Sequence, residues 1–318
     1  MNENKQFDMV VIGTALVDSI IKGFNPEPVS ASGYIAKSAT LAPGGEGINE
    51  SCTLQKLGLK TALYGMLGED GGGTILLNEL KKHNVDTSLL VTGPEIQTPI
   101  STLMVNDDGS RKSITNAAHK YNFHPETRPE RFTCAKNISL ASLFRAPFND
   151  PEIIYNVVKT AHEAGCNIYA DTKLPNFVKL TLDDIKDSLP YIDCIMPNED
   201  EAKYYSGEED PDKMADKFLS YGIKNVIVKL GAKGCLFKNA SERYRIPVYK
   251  IVPVDATGAG DNLIAGFIAA KHYGYDNLMA TKIANACGAI CTSTVGGTTG
   301  VKSMEQVLKF IEEQEAYD

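Results

Sequence analysis

The sequence predicts an α/β fold with a mainly parallel central sheet and helices on both of its faces. Short apolar runs of strand length alternate with segments of helical periodicity over most of the 318 residues. Hydrophobic residues make up 43% and charged residues 23% of the chain, which is an ordinary globular balance. We find no internal repeat and no low-complexity linker, so we expect one domain over residues 1–318.

Short apolar runs are predicted to form the strands of this sheet. The first, Met9-Val10-Val11-Ile12, consists of four consecutive apolar residues, as expected for a strand that is covered on both faces. Thr61-Ala62-Leu63-Tyr64 follows the first helical segment. The predicted strands cover 9–12, 61–64, 137–141, 168–170, 194–196 and 226–228.

Apolar residues at helical spacing predict the helices between these strands. In 261–272, for example, Leu263, Ile264 and Phe267 lie on one face. The predicted helices cover 47–57, 73–83, 151–164, 211–221, 261–272, 277–292 and 303–314.

Two stretches break the alternation. Residues 15–40 and 96–118 contain short β-prone pieces, with polar and glycine punctuation and no helical pattern. We predict that they form a small antiparallel sheet beside the main domain.

Charge and cysteine content indicate the cellular setting. A net charge of −8 argues against a nucleic-acid partner. The seven cysteines are scattered and contain no C-x-x-C pair, which predicts reduced thiols in a cytoplasmic protein; Cys287 and Cys291 are expected in the core. The polar N-terminus predicts no signal peptide, and no apolar run is long enough to span a membrane.

The run Val254-Asp255-Ala256-Thr257-Gly258-Ala259-Gly260-Asp261 is the most informative motif. Small residues stand where a loop turns into a helix, so four backbone N–H groups and the helix dipole create an anion site. A carboxylate at the end of an anion site would repel the anion, so it is unfavourable if the site only binds that anion. Asp261 is therefore predicted to take a proton from a nucleophile while the amides hold a phosphoryl group.

Other phosphate motifs do not occur. The chain has no G-x-x-x-x-G-K-[ST] run, and no G-x-G-x-x-G follows the first strand, which disfavours a P-loop kinase and a dinucleotide oxidoreductase. The five histidines are dispersed, so a histidine-based catalytic apparatus is unsupported.

Together with Pro43-Gly44-Gly45-Glu46-Gly47-Ile48-Asn49, the 254–261 run resembles the two signature regions of the ribokinase-like, or PfkB, carbohydrate kinase family. The resemblance extends over nearly the whole chain. Further family landmarks have counterparts in order: Val11-Ile12-Gly13 before Val17-Asp18, Gly68-Glu69-Asp70 with Gly73, Val85-Asp86-Thr87, Pro197-Asn198-Glu199-Asp200-Glu201-Ala202 and Lys229-Leu230-Gly231-Ala232-Lys233-Gly234.

This resemblance implies a fold, a reaction and residue roles. The fold is a large α/β domain with a small β-sheet lid, here about 15–40 and 96–118, and a homodimer through the lid is one arrangement that it allows. The reaction is transfer of the ATP γ-phosphoryl group to a sugar hydroxyl with Mg²⁺. The implied roles are Asp261 as base; Gly258, Ala259, Gly260 and the Asp261 amide as anion hole; Asp18, Gly44, Gly45 and Asn49 as sugar contacts; Asn198 and, through water, Glu201 for Mg²⁺ and phosphate; and Lys229, Gly231 and Thr257 on the nucleotide side.

Some family members also bind potassium beside the anion hole. Here the matching segments contain Asp255 and Thr257, with a late loop at 293–300. Carbonyl and hydroxyl oxygens suit such a hard cation. The alternative is a loop that only covers the adenine.

Each proposed contact also has an ordinary structural explanation. Gly44 and Gly45 are compatible with a simple turn, Asn49 with a helix cap, Asp18 with a solvated turn aspartate, and Glu201 with an exposed charge at a helix start.

Departures from the family pattern leave the substrate open. Glu46 stands where ribokinases often carry lysine, which argues against ribose as the default. Arg111 and Lys112 either face an acidic sugar or are solvated, and Lys173 follows a strand at the ligand-binding edge of the sheet. The sequence does not name the sugar or its hydroxyl. A nucleoside kinase of the same fold and a non-catalytic sugar-binding regulator are the alternatives.

Overall fold

The structure, a computed structural model, describes residues 5–23, 35–106, 111–116 and 122–315. Its strands are β1 (Phe7–Ile12), β2 (Leu16–Lys22), β3 (Ser38–Gly44), β4 (Thr61–Tyr64), β5 (Met66–Gly68), β6 (Val91–Gly93), β7 (Ile100–Val105), β8 (Arg111–Asn116), β9 (Ala135–Leu143), β10 (Asn167–Thr172), β11 (Cys194–Met196), β12 (Asn225–Lys229), β13 (Cys235–Asn239) and β14 (Arg243–Ile246). Its helices are α1 (Glu46–Lys56), α2 (Gly71–Lys82), α3 (Glu130–Thr133), α4 (Pro151–Glu163), α5 (Glu199–Ser206), α6 (Pro211–Leu219), α7 (Ala259–His272), α8 (Asn277–Thr292) and α9 (Met304–Glu315).

A sheet of eight strands forms the centre of the fold, in the order β14-β13-β12-β11-β10-β9-β1-β4. All pairs from β4 to β12 are parallel, with registers such as Val10 opposite Ile138 between β1 and β9. The last two pairs, β12–β13 and β13–β14, are antiparallel. Because parallel strands of one sheet end at the same edge, the residues that follow β10, β11 and β12 lie near one another.

Helices cover both faces of this sheet, as the sequence predicts. Met9 and Val11 of β1 belong to one buried cluster, and the alternate residues Val10 and Ile12 belong to a second. The first cluster contains buried residues of α1, α2, α7, α8 and α9, and the second those of α3, α4, α5 and α6. The first face therefore holds α1 and α7, the two helices that carry the predicted sugar and phosphate motifs.

A second sheet of four strands, in the order β3-β2-β7-β8, arises from the two stretches that break the alternation. Its β2–β3 and β7–β8 pairs are antiparallel, and the central β2–β7 pair is parallel. Parts of the predicted segments, including 24–34 and the turn Asp107-Asp108-Gly109, lie outside the described residues. We refer to these four strands as the small sheet.

The six strands and seven helices that the sequence predicts are present, with boundaries that differ by a few residues. The sequence analysis does not predict β13 and β14. They lie at one edge of the main sheet and include exposed residues such as Arg243 and Arg245. β14 has a single buried residue, Ile246, and no continuous apolar run, which explains why the sequence pattern does not mark it. β13 begins with the short buried run Cys235-Leu236-Phe237, which the sequence analysis does not assign.

The structure tests two expectations, one about membrane-spanning segments and one about the cysteines. In the described part of the chain, no helix combines the length and the apolar character that crossing a membrane requires. All seven cysteines are free, and Cys287 and Cys291 on α8 are buried, as predicted.

Candidate active site

The predicted site residues gather at the carboxyl edge of the main sheet, where ligands bind in open α/β folds. Asp171 and Thr172 end β10, with Lys173 directly after them, and Lys229 ends β12. Asn198 follows β11 and forms an isolated bridge with Lys229. The topology thus brings together residues from three separate parts of the chain.

Asp261 lies in the first turn of α7, and its side chain is buried. Its Oδ2 accepts a hydrogen bond of 2.7 Å from Nδ2 of Asn49 on α1. Its Oδ1 lies 3.9 Å from Nζ of Lys173. The structure therefore joins the predicted base to one of the predicted sugar contacts.

The surroundings of Asp261 strengthen it as a base. Burial raises the pKa of its carboxyl, and the negative charges of Asp171 and Glu46 act in the same direction. The Lys173 ammonium and the Asn49 hydrogen bond oppose them and lower the pKa in part. A carboxylate whose pKa is raised accepts a proton more readily than an exposed one, as a general base requires.

The turn before α7 depends on a glycine. Gly258 is the N-cap residue, with a φ of 76° in the left-handed region that glycine adopts without strain. A Cβ at this position would lie 2.6 Å from Cα of Gly297 in the late loop. No side chain caps the helix, so its N-terminal amides face the site uncapped.

One of the four predicted amides is used within the protein. The N–H of Ala259 donates to the carbonyl of Ala256 over 3.3 Å. The amides of Gly258, Gly260 and Asp261 are left at the N-terminus of the helix, where anions bind. The Ala259 amide thus already carries a hydrogen bond within the protein, and the four-amide anion hole stays a prediction.

Two lysine ammonium groups lie near this loop, and both are paired with the carboxylate of Asp171. Nζ of Lys229 lies 2.5 Å from Oδ1 of Asp171, and Nζ of Lys173 lies 2.7 Å from its Oδ2. Burial raises the pKa of Asp171, but the two ammonium groups outweigh this effect and leave the pKa below its usual value. The Lys229 ammonium also lies 3.4 Å from where a Cβ of Gly260 would be, so it borders the anion hole directly.

Asn198 and Glu201 form a capping box at the start of α5. The Asn198 side chain accepts a hydrogen bond from the Glu201 N–H at 2.9 Å, and Glu201 Oε2 accepts from the Asn198 N–H at 2.9 Å and from Thr172 Oγ1 at 2.8 Å. Burial raises the pKa of Glu201, against the opposing charge of Lys229. The structure excludes the exposed helix-start explanation for Glu201, since the side chain is buried.

A groove of about 530 Å³ adjoins the anion-binding loop. Its volume lies within the range of small-molecule sites. Lys229, Gly231 and Gly260 contribute to its lining, together with Leu263 and Asn285. The groove thus contains two residues predicted for the nucleotide side, while Asn198, Glu201 and Thr257 lie outside its lining.

The small sheet places Asp18 against the first glycine motif. A Cβ at Gly44 would collide with Oδ2 of Asp18, so only glycine allows the carboxylate to lie against β3. Gly45 has a φ of 92°, and a Cβ there would lie 2.5 Å from the carbonyl oxygen of Thr14. Both glycines therefore allow close approach within the protein itself, beside the start of α1.

Glu46 faces the same region. Its Oε1 accepts a hydrogen bond from Ser142 Oγ of β9, and its charge acts on Asp261 and Lys173. On β8, Lys112 is exposed, and the side chain of Arg111 lies outside the described part. The described charges next to Asp261 therefore include the carboxylate of Glu46.

Asp255 accepts hydrogen bonds from two parts of the predicted potassium-binding segment. Its Oδ1 accepts from the Thr257 N–H at 2.9 Å and from Thr257 Oγ1 at 2.7 Å, and its Oδ2 accepts from the Gly296 N–H at 3.0 Å. Cys291 Sγ donates to the Thr257 carbonyl at 3.4 Å. The carboxylate thus ties the turn to the late loop, and the potassium site stays a prediction.

Glu50, next to Asn49 on α1, is a buried site residue that the sequence analysis does not single out. Its Oε2 accepts a hydrogen bond of 2.6 Å from Ser139 Oγ, and within the described part of the chain its Oε1 has no hydrogen-bond partner. One carboxyl oxygen each from Glu50, Asp171 and Asp261 lie within 4.8 Å of one another. The sequence signal that could have identified Glu50 is its position directly after Asn49. A glutamate in a helix is, however, ordinarily expected at the surface.

Comparison with known proteins agrees with this geometry. The model of the family described as pfkB family carbohydrate kinase matches residues 6–304. The probable fructokinase-5 of Arabidopsis thaliana is 27% identical over 307 residues, which cover 91% of this chain and 92% of that protein.

Solved structures give the same fold. Arabidopsis thaliana ribokinase complexed with ribose and ATP aligns with a TM-score of 0.82 at 24% identity, covering 96% of this chain and 99% of that chain. A putative ribokinase II in complex with ATP and Mg²⁺ from E. coli aligns with a TM-score of 0.77 at 26% identity, covering 96% of this chain and 99% of that chain.

Proposed function

The chain belongs to the pfkB family of carbohydrate kinases, and from this premise we propose that it transfers the γ-phosphoryl group of ATP to a hydroxyl of a small sugar or sugar derivative. The observation that carries the proposal is the buried Asp261, held by Asn49 in the first turn of the uncapped helix α7. A base and an anion site stand side by side there, as phosphoryl transfer to a hydroxyl requires.

The proposed mechanism assigns one task to each group. Asp261 takes the proton of the acceptor hydroxyl as its oxygen attacks the γ-phosphorus, and the bond from that phosphorus to the β,γ-bridging oxygen breaks to release ADP. The amides of Gly258, Gly260 and Asp261 hold the oxygens of the moving phosphoryl group. Lys229, beside Gly260, adds positive charge at the same point.

Asn198 and Glu201 fit a magnesium ion that accompanies ATP. Oε2 of Glu201 is engaged by Thr172 and by the Asn198 N–H, whereas its Oε1 has no hydrogen-bond partner in the described ranges and suits a metal-bound water. The E. coli relative whose structure is described as a complex with ATP and Mg²⁺ supports the assignment. Magnesium would neutralise phosphate charge during transfer. A potassium ion beside Asp255 and Thr257 remains part of the proposal.

The proposed acceptor is a neutral sugar rather than a sugar phosphate or a sugar acid. Glu46 and Asp261 place two carboxyl groups next to each other on the acceptor side, where the charge of Glu46 acts on Asp261, and this negative charge disfavours an anionic substrate. A nucleoside kinase stays the alternative, and its acceptor site would need an apolar slot for the base.

Asp18, Gly44, Gly45 and Asn49 are proposed as the sugar-binding group. The carboxylate of Asp18 can accept hydrogen bonds from two adjacent hydroxyls, and Asn49 offers both a donor and an acceptor. Oδ1 of Asn49 is buried and has no hydrogen-bond partner in the ranges that the structure describes, which supports a role in receiving a substrate hydroxyl.

A panel of acceptors tests the proposed function. Pentoses, hexoses, ketoses, sugar acids, sugar phosphates and nucleosides are each incubated with ATP and Mg²⁺, and ADP release is measured. We expect turnover with a neutral sugar. Turnover confined to nucleosides would favour the nucleoside kinase, and binding of a sugar without any ADP release would favour the non-catalytic regulator.

A homodimer through the small sheet is a further part of this proposal. Leu41 of β3 and Ile114 of β8 are 61% and 67% exposed, which is unusual for large apolar side chains and supports a partner surface. Sedimentation velocity of the wild type and of a Leu41→Glu variant tests it, with dissociation expected for the variant.

A cytoplasmic location is proposed on the state of the thiols. Seven free cysteines, most of them buried, suit a reducing compartment. Fractionation of cells that produce the protein would test this location.

A further inference from the structure

Glu50 is the buried carboxyl to which the proposed mechanism assigns no role. It lies on α1 with 0% of its surface exposed. The hydroxyl of Ser139 on β9 donates to its Oε2 at 2.6 Å, and its Oε1 has no hydrogen-bond partner among the described residues. A buried carboxylate ion with one neutral donor is an unfavourable arrangement, because the lost hydration is not replaced.

The two lysines near Glu50 are already engaged by other carboxylates. Carboxyl oxygens of Asp171 on β10 and Asp261 on α7 lie within 4.8 Å of a Glu50 oxygen. Lys229 and Lys173 lie 2.5 and 2.7 Å from Asp171, and Lys173 lies 3.9 Å from Asp261. Glu46 adds further negative charge near Asp261. An ionised Glu50 would add a third negative charge to the cluster that it forms with Asp171 and Asp261.

The same lysines disfavour a metal ion between the three carboxyl groups. Both oxygens of Asp171 are already paired with an ammonium group, at 2.5 Å to Lys229 and 2.7 Å to Lys173. A divalent cation at this point would have to displace or approach those positive charges. A proton on Glu50 reduces the negative charge of the cluster without such a conflict.

Building on the proposed role of Asp261 as base, we propose that Glu50 is a neutral carboxylic acid in the folded protein and a positioning residue that keeps the negative charge of the site on Asp261. With the proton on Glu50, Asp261 stays ionised at neutral pH and accepts the proton of the acceptor hydroxyl. If Glu50 lost its proton, a third negative charge would stand beside the place where a negatively charged phosphoryl group must bind.

The electrostatic surroundings agree with this assignment. Burial raises the pKa of Glu50 well above its usual value, and the charges of Asp261 and Asp171 raise it further. The Ser139 hydrogen bond and the Lys173 ammonium lower it. On its own helix, Glu46 lies one turn before Glu50, and its Oε1 accepts a hydrogen bond from Ser142.

Stability against pH tests the neutral state without any measurement of activity. A glutamate ionises in an unfolded chain above about pH 4.3, so unfolding of the wild type releases a proton that Glu50→Gln lacks. We expect the ratio of the unfolding equilibrium constants, wild type over Glu50→Gln, to rise about tenfold per pH unit above about pH 5, until Glu50 ionises in the folded state. A ratio that does not change with pH overturns the proposal.

The pH dependence of kcat/KM tests the functional part. The wild type should lose activity at alkaline pH as Glu50 ionises, and Glu50→Gln should abolish that decline. Glu126→Gln is the control, because Glu126 also carries a buried oxygen without a partner but belongs to another part of the fold, and this variant should keep the wild-type profile. An alkaline decline that persists in Glu50→Gln overturns the positioning role.

Ser139→Ala keeps the proposal testable if Glu50→Gln does not fold. Loss of the hydroxyl removes a donor that favours the ionised form of Glu50, so the alkaline decline should move to higher pH. An unmoved decline contradicts the proposal. If the wild type phosphorylates none of the acceptors, the proposed function fails, while the stability measurement still decides the charge of Glu50.

Discussion

Nδ2 of Asn49 donates a hydrogen bond to Oδ2 of Asp261 over 2.7 Å and joins residues 212 positions apart in the chain. Asn49 lies in α1, and Asp261 lies in the first turn of α7. Because this bond occupies Oδ2, the other oxygen, Oδ1, is the one that faces Lys173 and is free for the proton of an acceptor. The bond therefore sets the orientation of the proposed base.

Asp261→Asn removes the base but keeps its shape. Loss of a general base typically lowers the rate by about 10²–10⁴, so kcat should fall by about that factor while ATP affinity changes little. Steady-state kinetics and ATP titration check this result. Asp276→Asn, the same exchange at the N-cap of α8, is the control and should turn over normally. Near wild-type kcat in Asp261→Asn would remove Asp261 from the mechanism.

Gly260→Val should weaken both ATP binding and turnover. A Cβ at Gly260 just reaches ordinary contact with Nζ of Lys229 at 3.4 Å, so the branches of valine would push the lysine aside and fill the phosphate position. Gly71→Val is the control, because it changes the start of α2, where a Cβ meets nothing within 4 Å. Circular dichroism confirms folding of both variants. Unchanged kinetics in Gly260→Val would mean that phosphate binds elsewhere.

Asp18→Ala should raise the KM for the sugar and leave the KM for ATP nearly unchanged. A hydrogen bond to a charged group contributes about 1.5–3 kcal/mol, which corresponds to about one to two decades in KM. Two titrations on the same variant, one of sugar and one of ATP, check this expectation. An effect limited to ATP would contradict the position of Asp18 on the acceptor side.

Lys173→Met should move the acid limb of the pH profile to higher pH. Asp261 works as a base only when ionised, so kcat/KM falls as pH drops through its raised pKa. The Lys173 ammonium lowers that pKa, and its removal raises the pKa further. Lys309→Met, at a side chain that is 74% exposed, is the control and should leave the limb in place. A limb that moves to lower pH in Lys173→Met would contradict the argument.

The sequence predicts the parts of the fold that depend on local pattern. Apolar runs and helical spacing place the central parallel strands and the helices around them, and the 254–261 run correctly marks the N-terminus of α7. Local pattern does not reveal that the Ala259 N–H turns back to Ala256. That bond depends on the exact turn geometry, so the number of free amides could not be counted from the sequence.

Contacts between residues that are far apart in the chain are the second feature that the sequence alone does not predict. Asp171 contacts Lys229, 58 positions away, and Ser139 contacts Glu50, 89 positions away. Neither pair has a local signature, because each arises from the order of strands in the sheet. The sequence suggests that Lys173 lies at the ligand-binding edge of the sheet, but it does not indicate that Asp171 pairs with two lysines or that Glu50 is buried.

Only Gly45 separates the last residue of β3 from the first residue of α1. The small sheet is thus joined to this helix without an intervening loop. A displacement of β3 would therefore be passed on to α1, which carries the Asn49 amide that binds Asp261. Under the proposed function, the position of the small sheet and the orientation of the base would then be set together.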